Sequence, residues 1–276
     1  MNRQLCLFVF ITIIAALATW VPSRLDAAST TEARVTRVKN HVQLEQLKNV
    51  HPASVNDIVH EKTIVRTGNG SRGELTFSDE TVVRLAAHTA FDFNQGTRGL
   101  NLKEGSALVQ TPKSANGAKI HAGSVAAAVA GTTVMIEYHA GVYKFLVLEG
   151  TARLYRPGHL GDSVLVGPGQ MVFGNPEAAL SDPVDVDIDR FMKTSCFITD
   201  FAPLRSEKSI VAESQNQQRE KSNKTLRDTN LIIFGGGTQV SAVGQEQNDT
   251  ADRATTLLAT PRRAPILSPG AAPTTE

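Results

Sequence analysis

Ala130 to Tyr155, AGTTVMIEYHAGVYKFLVLEGTARLY, decides the fold class. Thr132 to Tyr138 is dense in β-branched and aromatic side chains, and Val142 to Glu149 is a second such run. His139-Ala140-Gly141 between them is short enough for a hairpin loop, and Glu149-Gly150-Thr151 turns the chain again into a third run. Runs of this kind bounded by glycine-containing turns predict antiparallel strands. Gly131 and Gly150 are read as positions that need a left-handed backbone, where a β-branched side chain is poorly tolerated. Nothing in the stretch is a catalytic device.

Working outward, the same pattern repeats from about Glu61. TIVRT (63–67), GELTF (73–77), TVVRL (81–85), TAFDF (89–93), GLNLKE (99–104), SALVQT (106–111), AKIHA (118–122) and SVAAAVA (124–130) precede the central hairpin. SVLV (163–166) and QMVF (170–173) follow it. Sixteen of the 21 glycines fall between 68 and 174, which argues against long helices there. Short strands at this spacing predict an all-β, short-stranded solenoid or sandwich over 35–174. Val35 to Leu47 fits one or two further strands. In TAFDF, Phe91 and Phe93 alternate with Ala90 and Asp92, predicting one core face and one solvent face. Gly105 reads as a turn between two strands.

Beyond Gly174 the pattern changes. Residues 175–202 read as a linker and one short amphipathic helix, because Ile188, Phe191, Met192, Cys196, Phe197 and Phe201 recur at helical spacing. From Pro203 the chain turns polar and is read as a largely disordered tail to 276, too poor in apolar surface to offset its ordering entropy. One apolar island, TNLIIFGGGTQVSAV (229–243), is expected to form a strand that joins a sheet edge or a partner.

At the other end, Arg3 precedes an apolar run from Leu5 to Trp20, and Ala27-Ala28 offers a small-residue junction. This is the secretory pattern, so 1–27 reads as a signal peptide cleaved between Ala27 and Ala28. An uncleaved membrane anchor is the alternative, the run being slightly short for a span. In either case the remainder is expected outside the cytoplasm, in the periplasm or secreted, with no integral span once the signal is removed. Cys196 would then be the one cysteine left, so no internal disulfide is available and the protein must rely on its core.

Composition excludes other classes. A net charge of +1 and 5% aromatic residues suit neither a phosphate-tracking surface nor base-stacking platforms, so no nucleic-acid partner is expected. Asp185, Asp187 and Asp189 open like an EF-hand loop, but Arg190 and Cys196 stand where the turn glycine and the bidentate glutamate belong. A solvated face and a helix N-terminus are the simpler reading. Gly235-Gly236-Gly237 lacks the lysine and helix of a phosphate loop and reads as a turn. His41, His51, His60, His88, His121, His139 and His159 form no metal-binding pair, although His139 sits in a hairpin loop that could touch a partner. Glu137 and Glu149 flank the central hairpin, the nearest approach to a paired-carboxylate site. No nucleophile elbow is present. No catalytic residue, metal or cofactor is therefore assigned, and an enzyme is not expected.

The ordered set of runs resembles a known family. VRTGNGSRGELTFSDETVVRLAAHTAFDF (65–93) resembles the opening of the FecR domain, and LNLKEGSALVQT (100–111), VAGTTVMIEY (129–138), VLEGTARL (147–154) and VGPGQMV (166–172) are similar to its later segments, in the same order. The family's Asp-Gly-Ser turn is Asp79-Glu80-Thr81 here, which leaves the type of that turn open. FecR proteins carry a cytoplasmic anti-sigma segment, a membrane span and a periplasmic domain that relays signals from outer-membrane receptors. Only the exported part is resembled here. The resemblance implies an exported, non-catalytic binding module that contacts an envelope or outer-membrane protein. The alternative is an envelope structural or glycan-binding protein in contact with cell-wall polysaccharide.

Overall fold

A computed structural model describes residues 32–47, 49–94, 98–222, 231–234 and 237–240. The expected signal segment, its Ala27–Ala28 junction and the end of the tail lie outside the described residues.

Among the described residues, seventeen strands join into one hydrogen-bonded ladder that is folded into two layers. The strand that links the layers is β9, Gly99–Gln110. Its first half pairs with β8 (Ala90–Asn94) and β10 (Ala118–Ala122), and its second half with β7 (Val82–Leu85) and β12 (Thr133–His139). One layer therefore runs β4 (Ile58–His60), β1 (Glu32–Lys39), β6 (Arg72–Phe77), β7, β9, β12, β13 (Val142–Glu149), β16 (Gln170–Gly174), β17 (Val184–Asp185). The other runs β3 (Asn49–Pro52), β2 (Val42–Gln46), β5 (Ile64–Thr67), β8, β9, β10, β11 (Val125–Val129), β14 (Ala152–Tyr155), β15 (Ser163–Val166). All pairings are antiparallel except that of β9 with β10. The strand runs read from the sequence over 63–173, including both runs of the central hairpin, fall in strands, but the two runs either side of Gly105 belong to one.

The transfer of β9 between layers explains an error of the sequence reading. Gly105 is no turn between two strands but a kink inside one, at φ +93°. Leu100 and Leu102 face the core before it and Ala107 and Val109 after it, so the alternation slips by one residue just ahead of the kink, where Lys103 is extra between the partners of Phe91 and Ala90. A slip of this kind is a bulge, with two residues of one strand opposite one of the other. A Cβ on Gly105 would lie 2.4 Å from Thr89 Oγ1 and 2.5 Å from Thr89 Cα. Only glycine satisfies both the backbone angle and the space.

The core lies between the layers and draws on both. Val35, Leu75, Val83, Val134, Ile136 and Phe145 from the first layer meet Leu44, Val65, Phe91, Leu102, Ile120 and Leu154 from the second. Phe77 and Phe93 meet edge to face across the interface, their centroids 4.9 Å apart. Such a pair adds roughly 1 kcal/mol beyond the area it buries. The predicted two-faced character of TAFDF holds for the phenylalanines but not for Asp92, which is also buried. Asn101 donates to its carboxylate at 2.6 Å and Lys103 pairs with it at 2.9 Å. A buried carboxylate with two such partners needs no open water.

A third layer covers the outer face of the first. Where one helix was expected over 187–200, there are two: α1, Ile188–Thr194, and α2, Cys196–Thr199. Ser195 separates them in extended conformation, and its hydroxyl accepts from Phe197 N to start the second. The largely disordered tail expected from 203 does not begin there: Glu207–Ser222 forms a four-turn helix, α3. Ile210 is its one fully buried apolar residue. The remaining anchor is polar: Gln217 accepts from Ile188 N at 3.1 Å and donates to Val186 O at 2.6 Å. Hydropathy does not register burial achieved through hydrogen bonds, so the helix was invisible to it. The apolar island contributes β18 (Leu231–Phe234) and β19 (Gly237–Val240), which pair with each other rather than with a sheet edge. Gly237 opens β19, while Gly235 and Gly236 lie outside the described residues.

Candidate functional site

The two outer faces of the sandwich differ. On the first layer, Leu108, Met135, Leu146, Leu148 and Met171 point outward and form a second core with Val186, Ile188, Phe191, Phe197, Leu204 and Ile210. This helical layer is clamped by Arg84. Its register partner on β6 is Glu74, and Nε donates to Glu74 Oε2 at 2.8 Å. Nη1 donates to Phe197 O at 2.6 Å and Nη2 to Ala202 O at 2.5 Å. The guanidinium also lies 4.8 Å from the centre of the Phe201 ring. Burial pulls the Arg84 pKa down, and the bond to Glu74 opposes that. Asp200 adds a second tie, accepting from Lys39 at 3.0 Å and from Arg72 at 3.1 Å. These bonds hold Asp200 below the usual carboxylate range, Lys39 contributing most. Glu80 pairs with Arg205. The first face is thus occupied by the chain's own C-terminal segment.

Among the described residues, no helix covers β10, β11, β14 and β15, and the 176–180 segment touches only their ends, at Ser124, Arg156 and Asp162. Strand register places Lys119, Ala128, Arg153 and Leu165 in one row across these strands. Their neighbours Ile120, Val129, Leu154 and Val166 point into the core, so the row points outward. The row lines a groove of about 450 Å³, to which Arg98 and Asn116 also contribute. Arg153 donates to Ser163 Oγ at 3.3 Å. Among the described residues, no carboxylate lies within ion-pair distance of Lys119 or Arg153. Half-buried His121 lies one row along, its pKa pushed down by burial and then by the charge of Lys119. The groove is therefore basic, with a floor of small side chains.

The residues weighed as sites from the sequence are dispersed. Asp187 caps α1, its carboxylate accepting from Arg190 N at 2.9 Å, and Asp189 pairs with Lys193 at 2.6 Å. Glu137 sits between Lys144 at 3.2 Å and His139 at 3.4 Å. Glu149 instead opposes Thr133, four residues along β12 from Glu137, hence roughly 13 Å away at about 3.3 Å per residue. That exceeds the separations at which two carboxylates share a glycoside. Burial, with Glu213 nearby, pushes Glu149 above the usual carboxylate range, while Thr133 and Lys113 oppose the shift. His60 lies against Glu32 at 3.5 Å, and His159 against Arg156 at 3.2 Å. Cys196 is buried in the second core and forms no disulfide; burial raises its thiol pKa. Among the described residues, no group of three His, Cys, Asp or Glu side chains is placed to hold a metal ion. Nor is any helix among them long and apolar enough to cross a membrane. The sequence reading named neither Arg84 nor the basic row. An outward strand arginine looks solvent-exposed until its cover is known, and cross-strand rows exist only once register is fixed.

Comparison with known families bears on the two-layer segment. Residues 63–153 match the FecR protein family. The match spans β5 to the start of β14, including the β9 kink and the central hairpin. The Asp79-Glu80-Thr81 departure can now be placed on this FecR-like segment. Glu80 stands at φ +67°, while Glu80 N donates to Phe77 O and Thr81 N to Asp79 Oδ1. The turn thus has the left-handed residue that suits a glycine, filled by glutamate at about 1 kcal/mol of strain. Two crystal structures of a protein from Parabacteroides distasonis ATCC 8503, assigned as an anti-sigma factor, are similar in part. One aligns at a TM-score of 0.40 and 15% identity over 47% of this chain, the other at 0.39 and 14% over 47%. The chain spans 63% and 64% of those two chains. No curated protein matches the sequence.

Proposed function

We propose that the protein is an exported, non-catalytic binding module that contacts an envelope protein. The FecR match over residues 63–153 carries the reading, because it covers strands of both layers, from β5 to the start of β14. Three features support it. The apolar run Leu5–Trp20, with the Ala27–Ala28 junction, is a secretory pattern. The ionisable side chains weighed as catalytic are engaged singly, in caps and cross-strand pairs. One face of the sandwich is closed by the chain's own helices, while part of the other is a groove that no helix among the described residues covers.

The test is capture in place: the tagged protein is crosslinked in the cell envelope and the attached material identified by mass spectrometry. One outer-membrane or secretion protein in stoichiometric amount is the expected result. Peptidoglycan or polysaccharide with no dominant protein would replace this reading with that of a glycan-bound structural protein.

A further inference from the structure

From the free edge of β15 and the basic row beside it, we propose a docking site for an acidic, extended segment of a partner protein, which adds to the second layer as a further strand. The proposal rests on the binding-module reading and gives it a surface and a partner chemistry. Strand β15 pairs with β14 on one side only, and among the described residues no strand pairs with its other side. The direction of its backbone groups follows from the ladder. Arg156 N donates to Asp162 O, so 156 and 162 are a hydrogen-bonded pair. Hydrogen-bonded and non-hydrogen-bonded pairs alternate along an antiparallel ladder. Leu154 with Val164 is then hydrogen-bonded and Arg153 with Leu165 is not, so Leu165 directs its N–H and C=O to the open side.

The other ends of the ladder are less suited to pairing. On the first layer, β17 has two residues and β4 three. On the second layer, β3 closes on Pro52, which has no N–H to give. The β15 edge is SVLV, without charge or proline, and Leu165 is 56% exposed. An uncharged aliphatic edge of this kind is a pairing template. Main-chain bonds to an added strand supply affinity, and alternate side chains supply specificity. A strand added here continues the row Lys119–Ala128–Arg153–Leu165, which selects its side chains. A residue opposite Leu165 that carries a carboxylate lies two strands from Arg153, within reach of a long guanidinium. Lys119 extends the same positive field; Arg98 at the groove's end is paired with Asp79 at 3.7 Å, whereas no carboxylate among the described residues pairs with Lys119 or Arg153. The edge calls for a peptide backbone and the row for negative charge.

The experiment uses the full-length chain in a nonionic detergent. The probe is a fluorescent ten-residue peptide alternating Glu with Val and Thr, followed by anisotropy. Controls are the same peptide with Lys for Glu, and alginate as an acidic polysaccharide. The expected result is binding of the Glu peptide alone, weakening with added salt. The double variant Lys119→Glu, Arg153→Glu should weaken it by about tenfold or more. Leu165→Pro should abolish it, because that substitution removes the outward N–H without touching the bonds to β14. If Leu165→Pro does not fold by circular dichroism, Leu165→Asp sets a like charge at the same point and should weaken binding instead. The proposal is overturned if the Glu peptide does not bind, if the Lys peptide binds as well, or if both Leu165 variants bind normally. It is also overturned if alginate competes fully, or if sedimentation shows a dimer that Leu165→Pro dissolves, meaning that a second copy occupies the edge. Envelope capture of a protein crosslinked elsewhere would overturn this placement and leave the binding-module reading standing.

Discussion

The outer faces of the two layers are built on the same alternation of in and out positions, yet among the described residues one is closed by helices and the other is partly open. On the first layer the outward residues of β9, β12, β13 and β16 are Leu108, Met135, Leu146, Leu148 and Met171, and helices bury them. On the second layer the outward row is Lys119, Ala128, Arg153 and Leu165, and it lines a groove. A face of large apolar side chains gains roughly 2 kcal/mol for each one buried, so it draws the chain's own helices onto itself. A face of cations and alanines has little to gain from that cover. The difference separates a surface closed for stability from one that no helix covers among the described residues.

Substitutions can break or sharpen the contrast. The largest effect is expected at Gly105, where one strand serves both layers. Gly105→Ala forces a left-handed alanine against Thr89 and should cost at least about 4 kcal/mol, read by urea denaturation. A variant of normal stability would mean that the layers are not joined through this kink. Next is Arg84, which ties the helical layer down. Arg84→Ala leaves the carbonyls of Phe197 and Ala202 without their guanidinium donor and Glu74 with only Thr36, and should cost about 3 kcal/mol. Hydrogen exchange should quicken in α1 to α3 first, and uniform loosening of the whole sandwich would contradict the clamp.

A smaller change of opposite sign is expected at Tyr143. Its buried hydroxyl has no hydrogen-bond partner among the described residues, and burial pushes its pKa up to about 12. Tyr143→Phe should therefore stabilise by about 1 kcal/mol, and a loss of that size would reveal an unseen partner. At Glu149, beside the helical layer, the folded pKa lies above the ordinary 4.5. The protonated form is the one the fold favours, so its stabilising effect is full below pH 4.5 and lost as pH rises through the folded pKa. Glu149→Gln should raise the melting temperature at pH 7, with the gain vanishing near pH 4. A gain independent of pH would sink the assignment. Least affected should be the open face: Lys119→Glu with Arg153→Glu should change stability by no more than about 0.5 kcal/mol. A large loss would show that the basic row supports the fold.

Local sequence determined most of the strands over 63–173, because most are short β-branched or aromatic runs closed by a turn residue, whereas β3, β4 and β17 are too short to carry that signal. The left-handed Gly131 and Gly150, at φ +61° and +80°, were legible for the same reason. The family likeness was legible in the order of those runs. Local signals also reached their limit at identifiable residues. Gly105 reads as a turn in any local window, and only the transfer of β9 between layers makes it a kink. Helix α3 carries too little apolar surface to announce itself, and only the backbone groups of Val186 and Ile188 give Gln217 a reason to be buried. Arg84 and Arg153 are both outward strand arginines with no local sign to tell them apart. The tertiary structure decided that one is covered by helices and the other lines an open groove, because burial depends on what packs above a side chain rather than on its neighbours in sequence.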